Sequence, residues 1–303
     1  MEVFLKTFFF SRDFKIGAIY FFVLIFFLFF KIFPVQALTV SPPLFKIEAE
    51  KGTAVTKKIK VFNETNQPLT IYSSIENFEP DKNTGLPVFL GNSNFTNLAQ
   101  WISVEPQKIS LPSGESKEAQ VIINIPETAE PGGHYAAIFW TEAPLKDAGV
   151  QLVNRLGSLI LLNVSGVIKE ELKIVDFRKN ENNSFFLQIE NSGNTHLEPS
   201  GQIKIFNSDN EQISLLPVNS VRQNILPQSR RNFSLSGANL KWGKYSAKAQ
   251  LYFGKDKSVE SQTITFWVWP QNLFYNLAGI AAVILVIFVI YKMAKKRFLR
   301  YER

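Results

Sequence analysis

Tyr245-Ser246-Ala247-Lys248-Ala249-Gln250-Leu251-Tyr252-Phe253 is the stretch that decides the fold class. Tyr245, Ala247, Ala249, Leu251 and Phe253 fall at every second position, with Ser246, Lys248 and Gln250 between them. A period of two places these groups on one face of a strand, whereas a helix would need them three or four apart. The pattern recurs at Ala119, Val121, Ile123 and Ile125, and at Phe185, Leu187 and Ile189. Short alternating runs spaced by Gly, Pro, Asn and Ser predict an all-β chain built as Ig-like β-sandwiches. No stretch of residues 38–270 carries a sustained helical stripe.

Working outward, the same punctuation occurs twice. Val61-Phe62-Asn63-Glu64-Thr65-Asn66-Gln67-Pro68 has a counterpart in Ile189-Glu190-Asn191-Ser192-Gly193-Asn194-Thr195. Leu111-Pro112 is matched by Leu226-Pro227, and Gly133-His134-Tyr135 by Gly243-Lys244-Tyr245. The Asn-rich pieces read as hairpin turns, since Asn and Gly tolerate positive φ. Leu-Pro ends a strand at an edge, because Pro cannot donate to the ladder. Gly-x-Tyr opens a strand with a ring that caps the core. Two tandem Ig-like sandwiches follow, residues 38–170 and 171–270, divided where Lys169-Glu170-Glu171-Leu172-Lys173 breaks the apolar pattern.

The charge lies at the ends. Of the formal net charge of +7, residues 38–291 contribute nothing, with 23 basic and 23 acidic side chains. Residues 1–37 read as a signal peptide: Lys6, Arg12 and Lys15, an apolar run from Ile16 to Phe30, then Val35-Gln36-Ala37 with cleavage expected between Ala37 and Leu38. Residues 271–291 read as one transmembrane helix, with the uncharged run Leu273–Tyr291 bordered by Trp267, Trp269 and Tyr275. The tail 292–303 carries Lys292, Lys295, Lys296, Arg297 and Arg300, which places it in the cytoplasm by the positive-inside rule. The expected location is the cell membrane, single-pass, with residues 38–270 outside.

These counts also exclude. There is no Cys, so disulfides and thiolate metal sites are absent. A neutral ectodomain removes the motive for nucleic-acid binding. His134 and His196 stand apart and in no ligand spacing, and no nucleophile elbow or phosphate loop is present. No enzyme, no cofactor and no metal are expected, although scattered carboxylates leave a pairing across space open. Asp81-Lys82-Asn83-Thr84-Gly85 lacks the later acidic ligand of a calcium loop and reads as a turn. The long loop 79–100 with Phe89, followed by Trp101 opening a strand, is the candidate binding loop. It reads equally as a crossover with Phe89 as its plug.

Val40-Ser41-Pro42-Pro43, Val61-Phe62-Asn63, Trp101-Ile102, Leu111-Pro112-Ser113-Gly114 and Pro131-Gly132-Gly133-His134-Tyr135-Ala136-Ala137-Ile138 resemble the first domain of the WxL-interacting proteins of bacterial cell envelopes. The run Leu156 to Val167 is similar to the final strand of periplasmic-chaperone-type sandwiches. The first resemblance implies a wall-facing binder whose first domain contacts peptidoglycan and whose second contacts a surface protein. The expected function is therefore a membrane-anchored binding or adhesion protein. The alternative is a membrane-tethered chaperone or assembly factor that donates a strand to a secreted client, with Lys46 and Arg155 as a basic pair for the client's carboxylate. A hydrolase and a structural spacer complete the field.

Overall fold

The computed structural model describes residues 38–91, 98–142, 155–180, 183–236, 239–270 and 273–298. The segment 1–37, with Ala37, lies outside the described residues, as does Arg300. What is described is mostly β-sheet, in sandwich-type pairs.

In the first sandwich one sheet runs β1 (Leu38–Ser41), β3 (Ala54–Asn63), β8 (Ser116–Asn124), β6 (Ile102–Glu105). The other runs β2 (Leu44–Ala49), β10 (Leu156–Val164), β9 (Gly132–Thr141), β4 (Leu69–Pro80), β5 (Pro87–Phe89), with β7 (Lys108–Leu111) also paired to β4. All pairs are antiparallel except β2 with β10, which is parallel. The chain changes sheets between β1 and β2 at Ser41-Pro42-Pro43, with the Ser41–Pro42 bond cis. Alternation sends Ile59, Val61, Val121, Ile138, Trp140, Ile160 and Leu162 into one core. Each such burial stabilises the fold by about 1.5–3 kcal/mol before entropy is counted.

A second core is enclosed by β11 (Leu172–Lys179), β12 (Phe185–Asn191) and β15 (Ser229–Leu235) on one side. On the other lie β14 (Gln212–Val218), β13 (Ser200–Phe206), β16 (Gly243–Phe253), β17 (Lys257–Glu260) and β18 (Ile264–Val268). Tyr245, Ala247, Ala249, Leu251 and Phe253 all face this core, as the period of two requires.

Among the described residues two elements are helical: α1 (Leu98–Trp101) and α2 (Leu273–Phe298). Trp101 therefore closes a helical turn and β6 starts at Ile102. In α2 the side chains from Leu277 to Met293 are described and are exposed. Among the described residues no helix is long and apolar enough to cross a membrane.

The repeat is real, but its Asn-rich pieces are not hairpins. Asn63 ends β3 and Asn191 ends β12, and each following strand lies in the opposite sheet. These are corners, where the chain leaves one ladder before joining another and backbone groups lose their partners. The Asn side chains supply partners. The amide of Asn63 donates to Gln67 O, Leu111 O and Pro112 O at 2.8, 3.1 and 3.1 Å, and its Oδ1 accepts from Thr65 N at 3.0 Å. Asn191 donates to Thr195 O and Ile225 O at 2.8 and 2.9 Å and accepts from Gly193 N at 2.9 Å. Both are fully buried, and neither has positive φ.

Candidate functional site

The two sandwiches meet where the second corner touches the first sandwich. Asn194 sits at the centre. Its backbone carbonyl accepts from Gly133 N at 2.8 Å, and its backbone N–H donates to Lys169 O at 3.0 Å. Its side chain donates to Val167 O at 2.9 Å and accepts from Lys169 N at 2.7 Å. Gly193 and Gly132 make this approach possible: a Cβ on Gly193 would stand 2.1 Å from Lys169 O, and one on Gly132 2.4 Å from Asn194 O. Along the connecting segment Glu171 lies between Lys169 and Lys173, whose hydrogen bonds hold its carboxyl down to about 2.

Around this polar centre lies an apolar face. On β9, Ala136, Ile138 and Trp140 enter the core, so Tyr135, Ala137 and Phe139 point outward. Leu159 and Leu161 of β10, Leu44 of β2 and Phe78 of β4 join them. From the second sandwich, Leu226 turns away from its own core to pack on this face. Tyr135 thus does not cap the first core; it lies against His196 of the second sandwich, with ring centroids 5.9 Å apart. Burial raises the Tyr135 hydroxyl well above its ordinary value, against a backbone hydrogen bond with His196. Burial also lowers the His196 imidazole, helped by the Lys46 cation and opposed by Glu198, to about 4. A cavity of about 380 Å³ opens here, between Phe78, Tyr135, Pro131, Asn194 and Gln228.

The edge of this sheet is the other feature. Leu159 N donates to Pro43 O and Ser165 N to Ala49 O, both at 2.9 Å. In a parallel ladder this parity turns the backbone groups of Pro43, Phe45, Ile47 and Ala49 toward β10. Leu44, Lys46 and Glu48 then aim their N–H and C=O groups away from the sheet, where β2 is the last strand among the described residues.

The sequence-read residues distribute as follows. Phe89 packs edge-on against Phe139 and Phe78, centroids 5.0 and 5.8 Å away, and remains 39% exposed. Trp101 lies on the inner side, 4.8 Å from the His134 ring and against the first core, so Phe89 and Trp101 do not form one site. The turn Asp81–Gly85 is held by Asp81 Oδ1, which accepts from Thr84 N and Thr84 Oγ1 at 2.8 and 2.7 Å. These bonds lower the Asp81 carboxyl below its ordinary value. Among the described residues no group of His, Asp and Glu could hold a metal. The loop instead reaches the second sandwich, where Arg230 N donates to Lys82 O at 3.0 Å.

Lys46 and Arg155 do not converge on a common point. Lys46 is level with Leu161, six residues or about 20 Å along β10 from Arg155. Lys46 pairs with Glu198, and Arg155 pairs with buried Glu76 while lying 3.9 Å over the Phe139 ring. Each cation is already answered by a carboxylate. Leu38 opens β1, Lys292 is exposed on α2, and positions 295–297 fall within the bounds of that helix. The joint of Asn194, Tyr135 and His196 was not legible as a site in the sequence. Its one signal is Gly-Gly at 132–133 and Gly at 193, where the chain must be approached closely.

No family model matches the chain, so the resemblance to the WxL-interacting proteins gains no support, and no curated protein matches. Among solved structures the chain is similar to a class 5 fimbriae chaperone, CfaA, at 15% identity, covering 77% of this chain and all of that one (100%), with a TM-score of 0.41. The E. coli chaperone DraB matches at 14% identity over 75% of this chain and 98% of its own, TM-score 0.37. The periplasmic chaperone SfaE matches at 12% identity over 76% and 98%, TM-score 0.32.

Proposed function

We propose that this chain is a non-catalytic assembly factor of the cell envelope that holds an extended segment of a secreted or surface protein. Residues 38–170 and 171–270 form its two sandwiches, outside the membrane. Residues 271–291 tether it, and Lys292, Lys295, Lys296, Arg297 and Arg300 hold the tail in the cytoplasm. Support for the tether is the sequence pattern of an uncharged apolar run, Leu273–Tyr291, followed at once by Lys292, Lys295, Lys296, Arg297 and Arg300.

The observation that carries the proposal is the edge of β2. Leu44, Lys46 and Glu48 offer a row of outward backbone groups, and the adjoining outer face is apolar through Leu44 and Leu159. An added strand would gain backbone hydrogen bonds from the edge and side-chain contacts from the face. This favours the assembly factor over the adhesion module expected from the sequence. Lys46 and Arg155, expected under this same reading to take the client's carboxylate, are paired with Glu198 and Glu76 instead, so the edge of β2 carries the proposal by itself.

The test is an array of overlapping segments from the surface and secreted proteins of the host cell, probed with the detergent-solubilised full chain. Bound segments should alternate apolar and polar residues. Glu48→Pro removes one outward N–H without touching the β10 ladder. It should weaken binding about tenfold, the worth of one backbone hydrogen bond. Binding unchanged by Glu48→Pro would sink the edge. Retention on peptidoglycan sacculi with no segment bound would restore the wall binder.

A further inference from the structure

Three indoles are exposed together at one end of the second sandwich, while the exposed ring of Tyr252 stands alone toward the far end of β16. Trp242 is 67% exposed, Trp267 52% and Trp269 59%. Their placement follows from register. On β18, Val268 enters the second core, so Trp267 and Trp269 point away from it. On β16, Tyr245 enters the core, so Lys244 points outward, and it stands directly opposite Trp267. Trp242 immediately precedes Gly243, the partner of Val268. The Trp267 and Trp269 rings stack, with centroids 5.9 Å apart and planes 25° from parallel. Exposed Lys241 and Lys244 flank the group.

An indole open to water on a soluble face costs solvation that a partner must offset. The chain itself identifies the partner. Only residues 270–272 separate Trp269 from Leu273, the first residue of α2. Four Cα steps span at most about 14 Å. If α2 lies in a bilayer with Leu273 at its boundary, the Trp269 backbone is within that distance of it, and Trp267, Lys244 and Trp242 are brought to the same end by the β16–β18 pairing. Indoles favour this layer, where the ring is shielded and its N–H stays wet, and Lys ammonium groups meet phosphate there.

We infer that the end of the second sandwich bearing Trp242, Lys244, Trp267 and Trp269 lies on the lipid headgroup layer, and so fixes the orientation of both sandwiches relative to the membrane. The inference rests on α2 being the tether. It assigns a role to Trp242, which lies about thirty residues from the apolar run and belongs to the surface only through the β16–β18 pairing. The far end of β16 then carries Lys255 away from the lipid.

The chain has no Cys, so single nitroxide labels can be placed at Lys244→Cys and, as a control, Lys255→Cys. The labelled full chain is reconstituted in lipid nanodiscs at one chain per disc, which excludes a second copy as the shield. A water-soluble nickel chelate should broaden the Lys255→Cys spectrum and leave Lys244→Cys unbroadened. Adding Trp242→Ser, Trp267→Ser and Trp269→Ser together should restore broadening at Lys244→Cys. Broadening at Lys244→Cys in the otherwise native chain overturns the inference and leaves the tether standing. Protection at Lys244→Cys that survives the triple substitution also overturns it. A chain that fails to co-purify with lipid discs at all removes the tether and this inference together.

Discussion

The corners after β3 and β12 solve one local problem with one residue type, yet serve different ends. Asn63 and Asn191 each bond the backbone carbonyl four residues on, at 2.8 Å in both cases. Beyond that the loops diverge. In the first, Thr65 fills the second place after Asn, its hydroxyl donating to Asn63 Oδ1 at 2.6 Å, and the loop is largely solvent-facing. In the second, Gly193 and Asn194 replace Thr65 and Asn66, and His196 replaces Pro68. Those changes turn a closed corner into a docking surface. A buried amide can fix a corner, and the residues around it are then free to take on a joint.

Exchanging the divergent residues tests this most severely. Gly193→Thr places a Cβ 2.1 Å from the Lys169 carbonyl, a backbone group that cannot swing aside. A loss of about 4 kcal/mol in unfolding free energy is expected, in the range that marks a forced backbone shift. Thr65→Gly, the reverse change in the other corner, should cost about 1 kcal/mol through a lost hydrogen bond and added chain freedom. Equal costs in denaturant unfolding would show that the corners are not specialised.

Asn63→Ala and Asn191→Ala sharpen the shared part. Either change strands buried carbonyls and one N–H, and each should cost about 3 kcal/mol. Asn→Asp in either place should be no better, since a carboxylate cannot donate to those carbonyls. If Asn63→Ala proves neutral by thermal unfolding, the corner is satisfied some other way and the likeness is superficial.

The strands were legible because their period of two is a local signal, and β12 and β16 appear where Phe185–Ile189 and Tyr245–Phe253 predict them. The repeated Asn was legible as a position but not as a mechanism. A hairpin and a corner need the same residue types, and only sheet assignment separates them. Tyr135 shows the other limit. Gly133-His134-Tyr135 and Gly243-Lys244-Tyr245 match in letters, but Tyr245 faces its core and Tyr135 faces the joint. A shift of one residue in register reverses the face, and a single sequence does not print register. Lys46 and Arg155 were unreadable as a pair for the same reason, since separation along a ladder depends on which residues lie opposite.

Asn194→Ala separates docking from folding. It removes the bonds to Val167 O and from Lys169 N while leaving the Asn191 corner intact. About 2 kcal/mol should be lost from the joint and little from either core. Hydrogen exchange should quicken at Gly133 and Lys169, whose N–H groups bond Asn194, and stay slow in β3 and β12. Faster exchange throughout β12 would mean that the joint and the second sandwich are one cooperative unit.

The smallest effect concerns the residue that stands where the first corner has Pro68. His196 is half-buried with its imidazole held near about 4, against 6.5 for a free one. Burial is the main cause and Lys46 adds to it, while Glu198 pulls the other way. Because the folded-state value is depressed, the unfolded chain takes up a proton first as pH falls. Stability tied to this group is therefore full above about 6.5, declines as pH drops toward about 4, and changes no further below that. The full shift corresponds to at most about 3 kcal/mol, and partial access of the ring to water reduces the expected loss to about 1 kcal/mol. The loss should fall on the joint, because the imidazole sits between Tyr135 of one sandwich and Lys46, which itself bridges to Glu198 of the other. Small-angle scattering between pH 7 and pH 4 should show a wider distribution of shapes at the lower pH. His196→Gln, which cannot take up the proton, should flatten that dependence. A wild-type profile that already shows no change over this interval would mean that the ring gains compensating solvent when it protonates, and that the second corner docks without sensing acid.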